Sequence, residues 1–199
     1  MTDNKIITDR EEMLEAVRND NLGFALKYAS ATLKADREFM LEAVKINGSA
    51  LEYASNTLKA DREVVLEAVK IFGGAFKFAS DSFMADREVV LEAVKSSGDV
   101  LGYADDSFRV DREVVLEAVK SFFGVFDFVD DSFKADREVV LEAVKTNGWA
   151  LRYASATLKA DREVVLEAVR NDVGTLKYAS EELQNDPELI KLAEEFAES

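Results

Sequence analysis

The sequence predicts an all-α fold, an α-solenoid of about seven stacked short helical hairpins that forms one repeat domain over residues 1–199. Two observations support this prediction: a 25-residue internal period, and apolar residues at helical spacing within each repeat. A repeat this short cannot bury its apolar face alone, so stacking must supply the core. The nonapeptide DREVVLEAV or a close variant opens the repeats, which begin at Asp9, Asp36, Asp61, Asp86, Asp111, Asp136 and Asp161.

The two ends of the array are irregular. The first repeat is 27 residues long because RNDNLGFALKY stands where the second repeat has the shorter KINGSALEY. After the seventh repeat, the chain continues as Asp186, Pro187 and a polar tail that ends at residue 199. Irregular ends on a regular array are typical of capping repeats, so we expect residues 186–199 to form a C-terminal cap.

The first half of each repeat predicts an α-helix of about ten residues, here called helix A. In the third repeat, Asp61 is a good N-cap, and Val65, Ala68, Val69 and Phe72 recur at helical spacing. Val64 widens this apolar stripe, which indicates a helix packed between two neighbours. We expect the glycines that follow helix A to end it in the left-handed conformation; they are Gly48, Gly73, Gly98 and Gly148. Phe123 and Val173 stand at this position in repeats five and seven.

The second half of each repeat predicts a shorter helix B, exemplified by ALEYAS at residues 50–55. Leu51, Ala54 and Leu58 share one side of this segment, and the stretch SNTLKA is predicted to turn the chain towards the next Asp cap. Identical charges in adjacent repeats would stack as like-charge columns. We therefore predict that the arginine of each DRE triplet reaches an acid of a neighbouring repeat; these are Arg62, Arg87, Arg112 and Arg137.

The pattern of DREVVLEAVK, NG, ALxYAS and LKAD resembles the tandem repeats of a family known only as a domain of unknown function. The resemblance extends from about Asp9 to Asn185. It implies a helical repeat fold, and it implies no activity, cofactor or ligand residues.

The composition argues against an enzyme, a metal site or a cofactor site. The chain has no histidine and no cysteine, which removes the commonest general base, thiolate nucleophiles and the usual zinc ligands. A formal charge of −15 repels phosphate backbones, so we expect no nucleic acid partner. No apolar run suits a membrane helix and the polar start lacks a signal peptide, so we expect a cytoplasmic protein that does not bind a membrane.

Differences between the repeats cluster at the turn between helices A and B and at one position of helix B. We call these positions the variable ridge. In solenoids, variable residues on a constant frame are the usual layout of a binding surface for a protein or peptide, whereas free drift of solvated positions is the alternative. The turn positions include Ile46, Asn47, Ile71, Ser96 and Ser97. The candidate partner-binding residues are Phe72, Lys77, Asp99, Phe122, Asp127, Trp149 and Arg152.

Two further features of the middle repeats leave alternatives open. Phenylalanines replace leucine or tyrosine at Phe76, Phe78, Phe126 and Phe128, which predicts either a repacked core or a cavity that carries a small apolar ligand. Acids precede another phenylalanine at Asp81, Asp105, Asp106, Asp130 and Asp131, where they serve as helix caps or as an acidic column that could bind a cation. The near-identical helix A copies fit recent duplication or an engineered, consensus-like scaffold.

Overall fold

The computed structural model describes residues 6–20 and 24–197, and it confirms the all-α repeat solenoid. Contacts divide the chain into two compact units, residues 1–105 and 106–199. Part of the longer first repeat, residues 21–23, and the first five residues lie outside the described part of the chain.

Helix A is an α-helix of ten residues in all seven repeats, as the sequence predicts. Asp61 caps the third copy, since its Oδ1 accepts hydrogen bonds from the amides of Glu63 and Val64 at 3.0 and 3.2 Å. Val64 and Val65 are both fully buried, in line with a helix between two neighbours. The seven copies span Arg10–Asn19, Arg37–Ile46, Arg62–Ile71, Arg87–Ser96, Arg112–Ser121, Arg137–Thr146 and Arg162–Asn171.

Helix B is a short 3-10 helix, which the sequence pattern did not distinguish from an α-helix. Leu51, Ala54 and Leu58 are buried as predicted, at 7% exposure or less. The copies span Phe24–Tyr28, Gly48–Tyr53, Gly73–Phe78, Gly98–Tyr103, Phe123–Asp127, Gly148–Tyr153 and Val173–Tyr178.

The segment predicted as a plain turn contains a third helical element, here called helix C. It is a short α-helix where serine caps it, as at Ser55, and a 3-10 helix where an aspartate opens it, as at Asp81. Each repeat therefore consists of helices A, B and C. The copies of helix C span Ala31–Ala35, Asn56–Lys59, Asp81–Phe83, Asp106–Arg109, Asp131–Lys134, Ala156–Lys159 and Glu181–Gln184.

The prediction that glycine ends helix A in the left-handed conformation is wrong. Gly48, Gly73 and Gly148 have no positive φ, and helix A ends instead at an extended residue such as Asn47, with φ −147° and ψ 109°. At these three positions glycine allows a close approach between repeats, whereas repeat five accommodates Phe123 at the equivalent position. A Cβ on Gly73 would lie 2.5 Å from the carbonyl oxygen of Ala93. A side chain at this position would therefore require the backbone to move.

Stacked repeats are joined by helix A contacts and by single backbone hydrogen bonds. In the unit 1–105, helix A of repeat three packs against helix A of repeats two and four. The second residue after helix B donates its amide to helix C of the preceding repeat, as Ser55 does to Lys34 O and Ser80 to Lys59 O, both at 2.8 Å. In the unit 106–199, Ser155 donates in the same way to Lys134 O at 2.7 Å. These bonds fix the register of one repeat on the next.

The arginines of the DRE triplets also link successive repeats, as predicted, at three of the four named positions. Arg62 donates to Asp86 and Glu88 at 3.3 and 2.6 Å. Arg112 and Arg137 pair with the corresponding acids of their next repeats, and Arg87 also has an interaction partner. Alternating charges along the stack therefore replace the like-charge columns that identical repeats would otherwise create.

The chain ends in an additional helix, Pro187–Ala197, where the sequence predicts a cap. Arg162 pairs with Glu188 at 2.5 Å, so this helix continues the series of arginine ion pairs between successive repeats, here called the arginine ladder. Pro187 occupies the position at which the preceding repeats carry the forward-reaching arginine. No helix within residues 6–20 and 24–197 combines the length and the apolar character needed to cross a membrane.

Candidate functional site

Most of the variable ridge is exposed, whereas Asn47 and Trp149 are half-buried. Phe72 and Phe122 retain 44% and 37% exposure, although both are large apolar residues, and Ile71 retains 52%. The variable position of helix B is exposed in repeats two to seven, as the sequence predicts; its residues are Glu52, Lys77, Gly102, Asp127, Arg152 and Lys177. Phe72, which the helical spacing grouped with the core of helix A, instead lies beyond the end of that helix.

The ridge forms a cleft of about 310 Å³ in the unit 1–105. Ile46 and Asn47 from repeat two and Ile71 and Phe72 from repeat three line it, together with Val17, Arg18 and Asp20 from repeat one. Three successive repeats thus contribute to one concavity. Ile46 is 36% exposed, so the cleft presents apolar surface that solvent reaches.

One ridge position carries a residue that caps helix B in repeats two, six and seven, and phenylalanine in repeats three and five. At this position, Asn47 and Asn147 use Oδ1 to accept the amide of the residue two places on, each at 3.0 Å, and thereby cap helix B. Phe72 and Phe122 occupy the same position and provide no side-chain cap. Loss of such a cap typically destabilises a helix by about 0.5–2 kcal/mol. Repeats three and five therefore present an aromatic ring where repeats two and six carry a residue that caps helix B.

Each of these rings lies over a glycine. A Cβ on Gly74 would come within 2.5 Å of Phe72 Cζ, and Gly124 has the same relation to Phe122. Repeats two and six carry Ser49 and Trp149 at this glycine position. The glycine thus creates the space in which the ring packs, so phenylalanine and glycine form a pair.

Trp149, predicted as a binding anchor, is engaged within its own unit. Its Nε1 donates to Asp172 Oδ2 at 2.7 Å, and its ring meets Tyr178 edge-on with centroids 5.7 Å apart. The Lys177 ammonium lies 4.6 Å from the indole centroid, within range of a cation–π interaction. These contacts of Trp149, here called the clasp, link repeat six to repeat seven.

Asp127 and Arg152, predicted separately, meet at the hydroxyl of Tyr153. The Tyr153 hydroxyl donates to Asp127 Oδ2 at 2.8 Å and accepts from Arg152, whose guanidinium stacks 4.4 Å from the ring centroid. Burial, followed by the hydrogen bond to Asp127, raises the pKa of Tyr153 above its ordinary value. This cluster joins helix B of repeats five and six.

The two remaining predicted partner-binding residues interact locally and not with each other. The Lys77 ammonium lies 4.9 Å from the Phe78 ring centroid, and Asp99 accepts a hydrogen bond from the Ser97 hydroxyl at 2.9 Å. Both side chains are exposed.

The phenylalanines predicted as a repacked core or a ligand cavity fall into two groups. Phe76 and Phe126 are fully buried, and Phe126 stacks on Tyr153 with centroids 5.7 Å apart. Phe78 and Phe128 are half-buried, and Phe78 borders a second cleft, of about 350 Å³, beside Lys59 and Ser80. The complete burial of Phe76 and Phe126 is what repacking produces.

The acids before the third helix of the middle repeats are engaged as caps and ion pairs. Asp130 caps helix C by accepting the Ser132 amide at 2.9 Å. Asp106 pairs with Arg109 and Asp131 with Lys134. Asp81 lies in the first turn of its helix C, and Asp105 ends the unit 1–105, where it donates its amide to Met84 O. Within the described residues, no group of three or more acids is arranged to hold a metal ion.

An aromatic residue that the sequence pattern did not single out ends helix B in six repeats and directly follows it, as Phe128, in repeat five. Most of these rings are half-buried, whereas Tyr103 is 55% exposed. Their regular spacing of 25 residues was the signal that could have identified this shared aromatic position. The residues at this position are Tyr28, Tyr53, Phe78, Tyr103, Phe128, Tyr153 and Tyr178.

Comparison with known proteins identifies a family but assigns no activity. Neither a curated protein nor a solved structure matches the chain. A family model described as "Domain of unknown function (DUF4116)" matches residues 9–59, 61–109, 111–159 and 161–193. Apart from the shorter last match, each matched segment holds two of the 25-residue repeats, so the family unit is a repeat pair. The chain belongs to the DUF4116 family of tandem helical repeat proteins.

Proposed function

We propose that the protein is a non-catalytic scaffold that binds a protein or peptide partner through the variable ridge, chiefly at the cleft around Phe72. The observation that carries the proposal is the combination found at Phe72. This residue is 44% exposed, lines a cleft with Ile46 and Ile71, and replaces a residue that would cap helix B. The cap of helix B is given up for exposed apolar surface, and such an exposed apolar group is typical of binding positions.

The state of the acids supports a non-catalytic role. A general acid needs a pKa raised by an apolar pocket. Asp61, Asp136 and Asp161 show the reverse, because hydrogen bonds from Arg37, Arg112 and Arg137 lower the pKa of each carboxyl group. These carboxylates stabilise the stack and are held ionised.

Capture of partners from the native cells by the immobilised full chain tests the proposal. We expect the wild type to retain a protein that the Phe72→Asn variant does not retain. Asparagine stands naturally at this position in repeats two and six, so the substitution suits the local fold. Ile190→Asn is the matched control, because Ile190 is a similarly exposed apolar residue, at 38%, outside the ridge. Equal capture by the wild type and Phe72→Asn would contradict the proposal.

A further inference from the structure

Asn47 places a hydrogen-bond donor beside the apolar wall of the cleft. Its Oδ1 accepts from the Ser49 amide at 3.0 Å and from the Ser49 hydroxyl at 2.7 Å. These bonds fix the orientation of the side-chain amide. Nδ2 has no acceptor in the described part of the chain, although Asn47 lines the cleft. A fixed amide donor suits a neutral carbonyl acceptor of a ligand.

The surroundings of this donor specify an extended ligand. Backbone carbonyls of a helix are occupied by internal hydrogen bonds, whereas an extended peptide presents free carbonyls. Equivalent positions in stacked helices lie roughly 10 Å apart, so a cleft across three repeats is roughly 20 Å long. An extended chain covers this length with about six residues. A cleft of about 310 Å³ has room for one or two large side chains beside Ile46, Ile71 and Phe72.

The charge of the chain specifies the sign of the ligand charge. A formal charge of −15 attracts cationic ligands and repels acidic ones. Arg18, Lys45 and Lys70 lie in the last turn of helix A beside the cleft, and Arg18 and Lys70 pair with Glu15 and Glu67 at 3.4 and 3.1 Å. Glu42 stands three residues before Lys45, and Asp20 lines the cleft, so these three cations face four acids and do not reverse the preference.

We infer that the cleft binds an extended, basic peptide segment of about six residues. One apolar side chain of the segment packs between Ile71 and Phe72, and one of its backbone carbonyls accepts a hydrogen bond from Asn47 Nδ2. The inference rests on the proposed binding function of the ridge and adds the chemistry and conformation of the partner.

Selection from a phage-displayed library of random heptapeptides on the full chain provides the probe. The selected peptides are synthesised and their dissociation constants measured by fluorescence polarisation. We expect these peptides to carry net positive charge and an apolar anchor residue. Replacement of their Lys and Arg residues by Glu should weaken binding at least tenfold at low salt.

Two matched variants isolate the amide of Asn47. Asn47→Ser should weaken peptide binding about three- to tenfold, the usual effect of one lost hydrogen bond. Asn147→Ser makes the same change at the same cap position of the other unit and should leave binding unchanged. Serine occurs naturally at this position as Ser97, and thermal unfolding of both variants shows that the fold is retained.

The outcomes separate the two proposals. Peptides that need Phe72 but are acidic, or that bind Asn47→Ser as tightly as wild type, would overturn the inference and leave the proposed function standing. Peptides that bind equally well to Phe72→Asn, or the absence of any selected peptide, would overturn both.

Discussion

The ring of Phe72 lies over Gly74, so close that a Cβ on this glycine would approach Phe72 Cζ to 2.5 Å. The two residues therefore depend on each other. Repeat two carries Asn47 and Ser49 at the same two positions, where the asparagine caps helix B and accepts from the serine. The turn between helices A and B thus occurs in two forms, with an asparagine and serine pair in repeat two and a phenylalanine and glycine pair in repeat three.

This dependence predicts a non-additive pair of substitutions. Gly74→Ser should cost about 1–2 kcal/mol in the wild type, because the ring must swing away and lose its packing. In the Phe72→Asn background, the same change should be neutral or stabilising, since serine restricts the unfolded chain more than glycine. Urea unfolding of the four proteins measures the coupling. Additive effects within about 0.3 kcal/mol would show that the two residues do not depend on each other.

A second prediction concerns the glycines that begin helix B. Gly48→Ala should destabilise the protein by about 2 kcal/mol or more, because its Cβ would collide with the carbonyl oxygen of Ala68. Gly102→Ala is the control, since a Cβ there has nothing within 4 Å. It should be neutral or stabilising by up to about 1 kcal/mol. Similar thermal unfolding of the two variants would contradict close approach as the reason for Gly48.

The arginine ladder predicts a specific pH dependence of stability. The hydrogen bond from Arg112 lowers the pKa of Asp136 in the folded state. A lowered folded pKa contributes stability above the unfolded value near 4 and loses it as the pH falls through the folded value. Arg112→Gln should therefore reduce the urea midpoint slightly at pH 7, and the difference from wild type should shrink below pH 4.

Salt and a control substitution test the same ladder. Ion pairs between exposed groups are screened by salt, so the effect of Arg112→Gln should also be smaller in 0.5 M NaCl, where the Debye length is only about 4 Å. Arg170→Gln removes a single i, i+3 pair with Glu167 and should change the midpoint less. A pH-independent loss in Arg112→Gln would indicate packing of the side chain and not its charge.

The clasp between Trp149 and Asp172 gives a spectroscopic prediction. Trp149 is the only tryptophan of the chain, and Asp172 accepts both its indole N–H and the amide of Gly174. Asp172→Ala should cost about 1–3 kcal/mol and shift the tryptophan emission maximum, because it removes a cap and a charge-assisted hydrogen bond. Asp99→Ala, which removes an exposed acid bound to Ser97, should change neither quantity. An unaltered emission maximum in Asp172→Ala would show that the clasp does not persist in solution.

Much of the frame follows from the sequence because it rests on local rules. The period, the ten-residue helix A, its Asp caps and the arginine pairing all depend on residue spacing and charge, and the structure confirms them. The role of Gly48 was misjudged because the constraint comes from Ala68, 20 residues away in the next repeat. Helix C was missed because four residues are too few to show a helical period.

The candidate site was predicted only in part. Whether a ridge residue is available to a partner depends on the exposure of its side chain and on its contacts with neighbouring residues. The exposed position of Phe122 and the exposed position in helix B followed from the chemical scatter between repeats. The engagement of Trp149 by Asp172 and the meeting of Asp127 with Arg152 depend on side-chain directions across a repeat boundary, which no periodicity encodes. The packing of Phe72 over Gly74 likewise depends on the direction of the Phe72 ring, which the sequence pattern does not give.

The most direct test of the proposed binding role is the affinity of a selected heptapeptide for the wild type and Phe72→Asn, measured alongside their unfolding free energies. The gained cap and the lost packing of the Phe72 ring on Gly74 should offset each other, so we expect the two unfolding free energies to agree within about 1 kcal/mol. Binding to Phe72→Asn should be at least tenfold weaker. Equal affinity for the two proteins, or weaker binding that merely follows unfolding of the variant, would contradict a binding site at Phe72.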